Sequence, residues 1–304
     1  MINTSRDREQ SKIKKTLSEK LFHNLCQVNL QRFAWHPPFY GGFLQKFLNS
    51  ANLTDPSNPL SAAALKWIAL ITMLIDHIGA STLLFYIRRH GNTHTIHAVY
   101  DVLRDIGRIS FPLYIFLLVE GLQHTKNRTK YLLRLGIFAL ISEIPFDLAF
   151  YNIPFQRHSQ NVFFTLCIGL AVIWAMDSAD PEISRLTSGK NAILTPWIGR
   201  LYLFFLYGAL IALGCLLASI LYTDYQYVGV LAICAFYLLR RYPLIAAAVS
   251  SVVLLLSSAR EFFALGCLIP ISLYNGKRGS QPKYFFYAFY PVHLLLLWCV
   301  LRLI

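Results

Sequence analysis

Long apolar runs constrain this chain more than any other sequence feature. Residues 201–221 and 244–257 contain no charged side chain, and several further stretches are nearly as apolar. A helix needs about 20 mostly apolar residues to cross the hydrocarbon layer of a membrane. The chain is 56% hydrophobic and 14% charged, whereas roughly a quarter of the residues in a soluble domain are charged. We therefore expect an all-α fold, a polytopic transmembrane helical bundle.

The apolar runs predict about nine spans, separated by polar or basic loops. The spans are residues 60–87, 108–124, 131–150, 161–176, 201–221, 227–239, 243–257, 261–274 and 284–302. The sixth, seventh and eighth are short, so two of them are candidates for re-entrant or strongly bent segments. The chain shows no internal repeat of the kind that marks many transporters.

The basic residues predict two parts and an orientation. Residues 1–59 form a polar, basic arm, in which the aromatic stretch 33–48 is a candidate interfacial helix, and residues 60–304 form the membrane domain. Because residues 1–20 are polar and basic, the first span is expected to act as an uncleaved insertion signal. Basic loops remain in the cytoplasm, which predicts a cytoplasmic N-terminus and, with nine spans, an outer C-terminus. The loops that share the side of the arm are 124–134, 177–200, 240–241 and 275–283.

The positive charge of the chain is explained by the membrane rather than by nucleic acid. A net charge of +13 would suggest a nucleic-acid partner in a soluble protein. In a membrane protein it reflects cytoplasmic loops and anionic lipid headgroups of the bilayer, and no groove-reading motif accompanies it. The 6 cysteines include no Cys-x-x-Cys pair, so we expect neither a metal site nor a disulfide framework.

The first predicted span carries Lys66, Asp76 and His77. Lys66 and His77 are 11 residues apart, close to three helical turns, which puts them on one face about 16 Å apart along the axis. Asp76 is rotated by about 100° from His77 and is poorly placed to orient it. An arginine from a neighbouring helix is the expected partner of Asp76.

Further ionisable residues lie in later spans, where a charge at the helix centre is unfavourable by about 2.5–3.5 kcal/mol. Glu143 and Asp147 flank Pro145, which bends a helix and frees backbone carbonyls. His293 is placed to line the same cavity as His77, and Arg108 lies at the edge of the second span. These residues indicate a polar interior, although ion pairs that only fix helix packing would give the same pattern.

Taken in order, these motifs resemble the TraX family of membrane proteins. The resemblance covers about residues 60–304 and rests on many short motifs rather than on one. The main motifs are Asp76-His77-Ile78-Gly79, Gly107-Arg108-Ile109-Ser110-Phe111-Pro112, Ser142-Glu143-Ile144-Pro145-Phe146-Asp147, Tyr274-Asn275-Gly276-Lys277-Arg278-Gly279 and Tyr290-Pro291-Val292-His293-Leu294. The Lys66-x10-His77 spacing also resembles the signature of membrane acyltransferases that modify cell-surface sugars.

The resemblance implies an acetyltransferase in a bacterial inner membrane. It would move an acetyl group from cytoplasmic acetyl-CoA, its co-substrate, to an acceptor in or at the membrane. The named member of the family acetylates the N-terminal amine of a conjugative pilin, so a pilin-like subunit is the first candidate partner. The acceptor stays open between such an amine and a sugar hydroxyl.

The resemblance also implies roles for individual residues. His77 would be the general base that takes a proton from the acceptor, with His124 and His293 left as alternatives. No metal ligand is expected. The candidate catalytic residues are His77, Asp76, Arg108 and Glu143, and the candidate acetyl-CoA-binding residues are Lys66, His124 and Arg134.

Two other functions fit the same residues. A proton-coupled transporter would use the carboxylates and histidines within the spans to relay protons. A non-catalytic assembly factor for a pilus or surface structure would use them only to fix helix packing.

Overall fold

The computed structural model describes residues 57–91, 93–187, 195–280 and 284–303. Within these ranges the regular structure is helical and no β-strand occurs, which confirms the all-α class. The predicted arm lies outside the described residues except for positions 57–59. The α-helices, in chain order, are α1 (Ala62–His77), α2 (Leu84–His90), α3 (His94–Gly107), α4 (Ser110–His124), α5 (Arg128–Tyr151), α6 (Val162–Thr187), α7 (Pro196–Ile220), α8 (Gln226–Leu238), α9 (Pro243–Leu254), α10 (Leu268–Ser272) and α11 (Phe285–Leu303).

The membrane character of the chain is confirmed by four of the described helices that are both long and apolar. Ala62–His90, which runs from α1 through α2, is long and apolar enough to cross a membrane, as are α6, α7 and α11. The helices α8 and α9 are apolar but shorter. The predicted span 261–274 consists of a 3-10 segment, Ala259–Cys267, followed by the short helix α10. It is the eighth predicted span, one of the three short spans that are candidates for re-entrant or strongly bent segments.

Helix α3 was not predicted from the sequence, which left residues 88–107 as a connection between two spans. The helix is amphipathic: Val99, Val102 and Ile106 are spaced along one face and are exposed. Its other face packs against α1. This packing brings polar side chains of α3, a segment predicted to be a loop, into contact with the first span.

Helix α4 lies in the core of the bundle because it is apolar on most sides. Leu113, Ile115 and Phe116 in α4 are at most 1% exposed. The helix packs against α1, α6, α8 and α9, while the C-terminal helix α11 packs against α5 and α1. A polar site therefore forms where α1, α5 and α11 meet.

Candidate functional site

Two histidines from opposite ends of the described chain form a direct hydrogen bond. His77 is the last residue of α1, and His293 lies within α11. Nδ1 of His77 is 2.8 Å from Nε2 of His293, and the two rings are nearly parallel, with an interplanar angle of 12° and their centroids 5.1 Å apart. The sequence placed both residues in one cavity, and the structure joins them directly.

The hydrogen bonds of this pair determine which nitrogen of each neutral ring carries a proton. Nδ1 of His293 is 2.8 Å from the carbonyl oxygen of Phe289, and this nitrogen must donate because a carbonyl only accepts. Nε2 of neutral His293 is then an acceptor, so Nδ1 of His77 donates to it. Nε2 of His77 is left with the lone pair that can take up a proton.

Aromatic side chains enclose the histidine pair. The rings of Phe150 and Tyr290 meet the ring of His77 edge-on, with centroid distances of 5.2 and 5.8 Å. Phe289 stacks on His293 at 4.9 Å. This apolar wall limits the access of water, and electrostatic interactions are stronger where water is excluded.

The backbone is irregular on both sides of the pair. A π-helical segment, Ile78–Leu83, begins directly after α1, and such π turns are frequent at functional sites. Ser81 in this segment donates a hydrogen bond of 2.6 Å to the carbonyl oxygen of Ala149, which ties the segment to α5. In α11, Pro291 lies within the helix two residues before the histidine, and it has no backbone N–H to donate to the preceding turn. These features fix the positions of both rings.

Asp76 is the centre of a buried ion-pair network rather than a partner of the histidines. Its Oδ2 accepts a hydrogen bond of 2.7 Å from Arg104, and its Oδ1 accepts one of 2.6 Å from Arg108. The sequence predicted an arginine from a neighbouring helix, and the structure supplies two. Arg108 also donates to Glu261 at 2.8 Å and to the hydroxyl oxygen of Tyr225 at 3.2 Å.

The members of this network are buried enough for their charges to depend on one another. The side chains of Asp76, Arg108 and Glu261 are 11%, 12% and 2% exposed. Removing one member would leave an unpaired charge in a medium of low dielectric constant. The network links α1, the turn after α3 and the 3-10 segment, so it holds the end of α1 on which His77 lies.

A second ion pair secures α3, which lies outside the predicted spans. Arg260 contacts Asp101 at 2.7 Å and Asp105 at 3.7 Å. Hydrogen bonds from Arg260 and His97 lower the pKa of the Asp101 carboxyl group. The carboxylate therefore stays ionised to lower pH than an isolated aspartate, and the pairing persists at neutral pH.

Gly107 permits the close approach of α3 to α1. A methyl group at this position would overlap the Cβ and carboxylate atoms of Asp76. We expect Gly107→Ala to displace Asp76 and to lower the free energy of unfolding by about 1–3 kcal/mol, as overpacking of a buried site does. Gly208→Ala is the matched control, because a methyl group there meets no atom of the described residues within 4 Å. Thermal unfolding of both variants in detergent tests the expectation, and equal stability of the two variants would contradict it.

Glu143, a predicted catalytic residue, pairs with the connection after α5 instead of with the histidines. Its Oε2 accepts hydrogen bonds from the side-chain and backbone N–H groups of Asn161, at 2.5 and 3.2 Å. Asp147, one turn later, accepts a bond of 2.7 Å from the backbone N–H of Gln156. The two carboxylates thus hold residues 152–161 against α5.

Lys66 and His77 face the same neighbouring helix, as their spacing predicted. Nζ of Lys66 is 5.7 Å from the ring centroid of Phe286, and His77 bonds to His293. Both partners belong to α11. A molecule lying along α1 and α11 could therefore contact both residues.

The other two predicted acetyl-CoA-binding residues lie on α4 and α5. His124 is the last residue of α4, and its side chain is 72% exposed and 3.0 Å from Glu120. Arg134 lies over the ring of Tyr131 at 5.9 Å. Neither side chain makes a hydrogen bond to the histidine pair within the described part of the chain.

Three members of the network were absent from the predicted site. Arg104 is four residues before Arg108, and this spacing on a helix could have revealed it as a second partner of Asp76. Glu261 and Tyr225 come from distant parts of the chain, and no local pattern connects them to the site.

The fold and the site define a polytopic helical membrane protein with a buried histidine pair beside an ion-pair network. The chain belongs to the TraX family, whose model, described as TraX protein, matches residues 61–301. This confirms the resemblance seen in the sequence. The chain is also 32% identical over 263 residues to a protein of Dichelobacter nodosus described as "Probable fimbrial assembly protein FimC, serogroup H1", a match that covers 78% of this chain and 94% of the relative. No solved structure gives a significant match.

Proposed function

We propose that the protein is an integral membrane acetyltransferase that moves an acetyl group from cytoplasmic acetyl-CoA to the N-terminal amine of a pilin-like subunit. The observation that carries the proposal is the histidine pair, in which Nε2 of His77 is free to accept a proton. A general base of this kind is what acyl transfer to an amine requires. Membership of the TraX family supports the same reaction.

The reaction needs one proton acceptor and no covalent intermediate. The amine nitrogen attacks the thioester carbonyl, a carbon–nitrogen bond forms, and Nε2 of His77 takes the proton that the nitrogen loses. The carbon–sulfur bond then breaks, and the proton passes to the departing thiolate to give CoA. His293 stabilises the proton on His77 by accepting the hydrogen bond from Nδ1, as the third member of a catalytic triad orients its base.

The other predicted residues support the site in different ways. Asp76 and Arg108 position the end of α1, and Glu143 positions the connection between α5 and α6. Lys66 lies on the face of α1 that leads to His77, where it can attract the anionic part of the donor. His124 is solvent-exposed and paired with Glu120, which favours His77 as the base.

A pilus subunit is favoured as acceptor by the relative of 32% identity, whose description is a probable fimbrial assembly protein. The test is the mass of the N-terminus of the major pilin, isolated from cells with the wild-type gene, with a deletion, and with His77→Ala. We expect acetylated pilin only with the wild-type gene. Equal acetylation in all three strains would show that this protein is not the enzyme that acetylates the pilin.

The same strains distinguish the two other functions. An assembly factor without activity would change the amount of assembled pilus in the deletion strain while the N-terminus stayed unmodified in every strain. A transporter would take up substrate into proteoliposomes that contain no CoA. Either outcome would replace the proposed reaction.

A further inference from the structure

The loop formed by residues 274–279 is fixed on the first turn of α1. The carbonyl oxygens of Lys277 and Arg278 accept hydrogen bonds from the backbone N–H groups of Ala62 and Ala63, at 2.9 and 3.1 Å. These N–H groups have no partner within their own helix, so the loop satisfies them. The side chains of the loop are thereby held at this end of α1.

Two glycines give the loop a shape that other residues would not adopt easily. Gly276 and Gly279 have φ angles of +73° and +69°, in the left-handed region that favours glycine. A methyl group on Gly279 would also overlap the Ser61 hydroxyl. Asn275 accepts a bond of 2.9 Å from the backbone N–H of Lys277 and donates one of 3.1 Å to the carbonyl oxygen of Asn58. The loop therefore has a defined backbone conformation, which glycines and hydrogen bonds maintain.

This loop brings like charges together. The side chains of Lys277 and Arg278 are exposed, and in the part of the chain that the structure describes no carboxylate pairs with either. Lys66 follows Ala62 by about one helical turn, so it lies at the end of α1 to which the loop is bonded. Like charges repel each other, and a bound anion would reduce the repulsion.

An aromatic cluster adjoins Lys66, whose Nζ is 5.7 Å from the ring centroid of Phe286. The ring of Trp67 is 5.3 Å from the rings of both Phe285 and Phe286, and Trp67 is 41% exposed. Exposed aromatic faces beside basic groups can stack nucleobases, a contact that tolerates any base. The combination of cations and an aromatic face fits a phosphorylated nucleotide.

We infer that Lys277, Arg278 and Lys66 bind the phosphate groups of the nucleotide part of CoA at this end of α1. The inference rests on the proposed acetyltransferase function. The pantetheine arm would then lie along α1 and α11 and span the distance of about 16 Å along the helix axis between Lys66 and His77. The thioester then reaches the histidine pair while the phosphates remain at the loop.

The test compares Lys277→Gln/Arg278→Gln with Lys130→Gln/Arg200→Gln, a control that removes one exposed lysine and one exposed arginine elsewhere. Each protein is placed in nanodiscs of phosphatidylcholine, and the Kd values of CoA and of pantetheine, which lacks the phosphates, are measured. We expect the loop variant to bind CoA at least about ten-fold more weakly, as the loss of charge-assisted hydrogen bonds implies, and to bind pantetheine as the wild type does. The control variant should bind CoA normally.

The phosphate of a lipid headgroup could occupy the same loop, and a second experiment distinguishes this ligand from CoA. Both proteins are also placed in nanodiscs that contain phosphatidylglycerol. If the loop variant and the wild type then bind CoA with equal Kd values and differ only in lipid binding, the loop is a lipid site and the inference fails. Equal weakening of CoA binding in the control variant would also overturn it. The charge-preserving swap Lys277→Arg/Arg278→Lys should keep the Kd of CoA within about three-fold, since the positive charge of the loop is unchanged.

The outcomes separate this inference from the proposed function. Wild-type protein that binds CoA through the loop but transfers no acetyl group would refute the reaction and leave the site standing. Wild-type protein that transfers acetyl groups while the loop variant has an unchanged KM for acetyl-CoA would refute the site and leave the reaction standing.

Discussion

Replacing Asp76 with asparagine is expected to lower the free energy of unfolding by about 3–5 kcal/mol, the effect of removing one partner from a buried ion pair. Arg104 and Arg108 both donate to this carboxylate. Without it, the two positive charges would lose the carboxylate that both of them contact. The expected result is a lower unfolding temperature and less protein in the membrane.

The matched control for this variant is Asp105→Asn. Asp105 lies in α3 and contacts Arg260 at the longer distance of 3.7 Å, with its side chain 26% exposed. A pair of this kind contributes about 1 kcal/mol or less, so the variant should unfold nearly as the wild type does. Unfolding of both variants is followed by circular dichroism in detergent. Similar stability of Asp76→Asn and Asp105→Asn would show that the network does not support the bundle.

Replacing His77 with alanine is expected to lower kcat for acetyl transfer by about 10²–10⁴-fold, the usual contribution of a general base. The KM for acetyl-CoA should change little, because the inferred phosphate site lies at the other end of α1. The variant should also fold normally, since the substitution removes a neutral hydrogen bond and no charge. Steady-state kinetics and the unfolding temperature together separate this result from a general loss of structure.

His293 provides a finer test of the same arrangement. His293→Leu removes the acceptor for Nδ1 of His77 and should reduce kcat, whereas His293→Gln offers a side-chain oxygen in its place and should retain more activity. His158→Ala changes an exposed histidine outside the site and serves as the control. If His293→Leu and His158→Ala had the same kcat, the pair would have no role in catalysis.

The membrane class and the helices could be predicted from the sequence because apolar length is a strong and local signal. Even so, α3 was not predicted. Its segment, residues 88–107, is polar on average, and its apolar residues Val99, Val102 and Ile106 lie on a single face of the helix. Arg104 was consequently assigned to a loop. It is in fact a direct partner of Asp76.

Helical spacing predicted those parts of the site that lie on one helix. It placed Lys66 and His77 on a common face and turned Asp76 away from His77 toward an arginine. It could not predict the bond between His77 and His293, which joins residues 216 positions apart. Nor could it show that Glu143 bonds to Asn161, because that contact depends on how the chain returns after α5.

The proposed reaction is tested most directly by measuring acetyl transfer by the purified protein in nanodiscs. The substrates are acetyl-CoA labelled in the acetyl group and a pilin N-terminal peptide with a free or a blocked amine. We expect labelled peptide and an equal amount of free CoA with the free amine, neither product with the blocked amine, and a rate reduced at least about 100-fold by His77→Ala. Transfer at an undiminished rate by His77→Ala, or no transfer by a folded wild-type protein that binds acetyl-CoA, would contradict it.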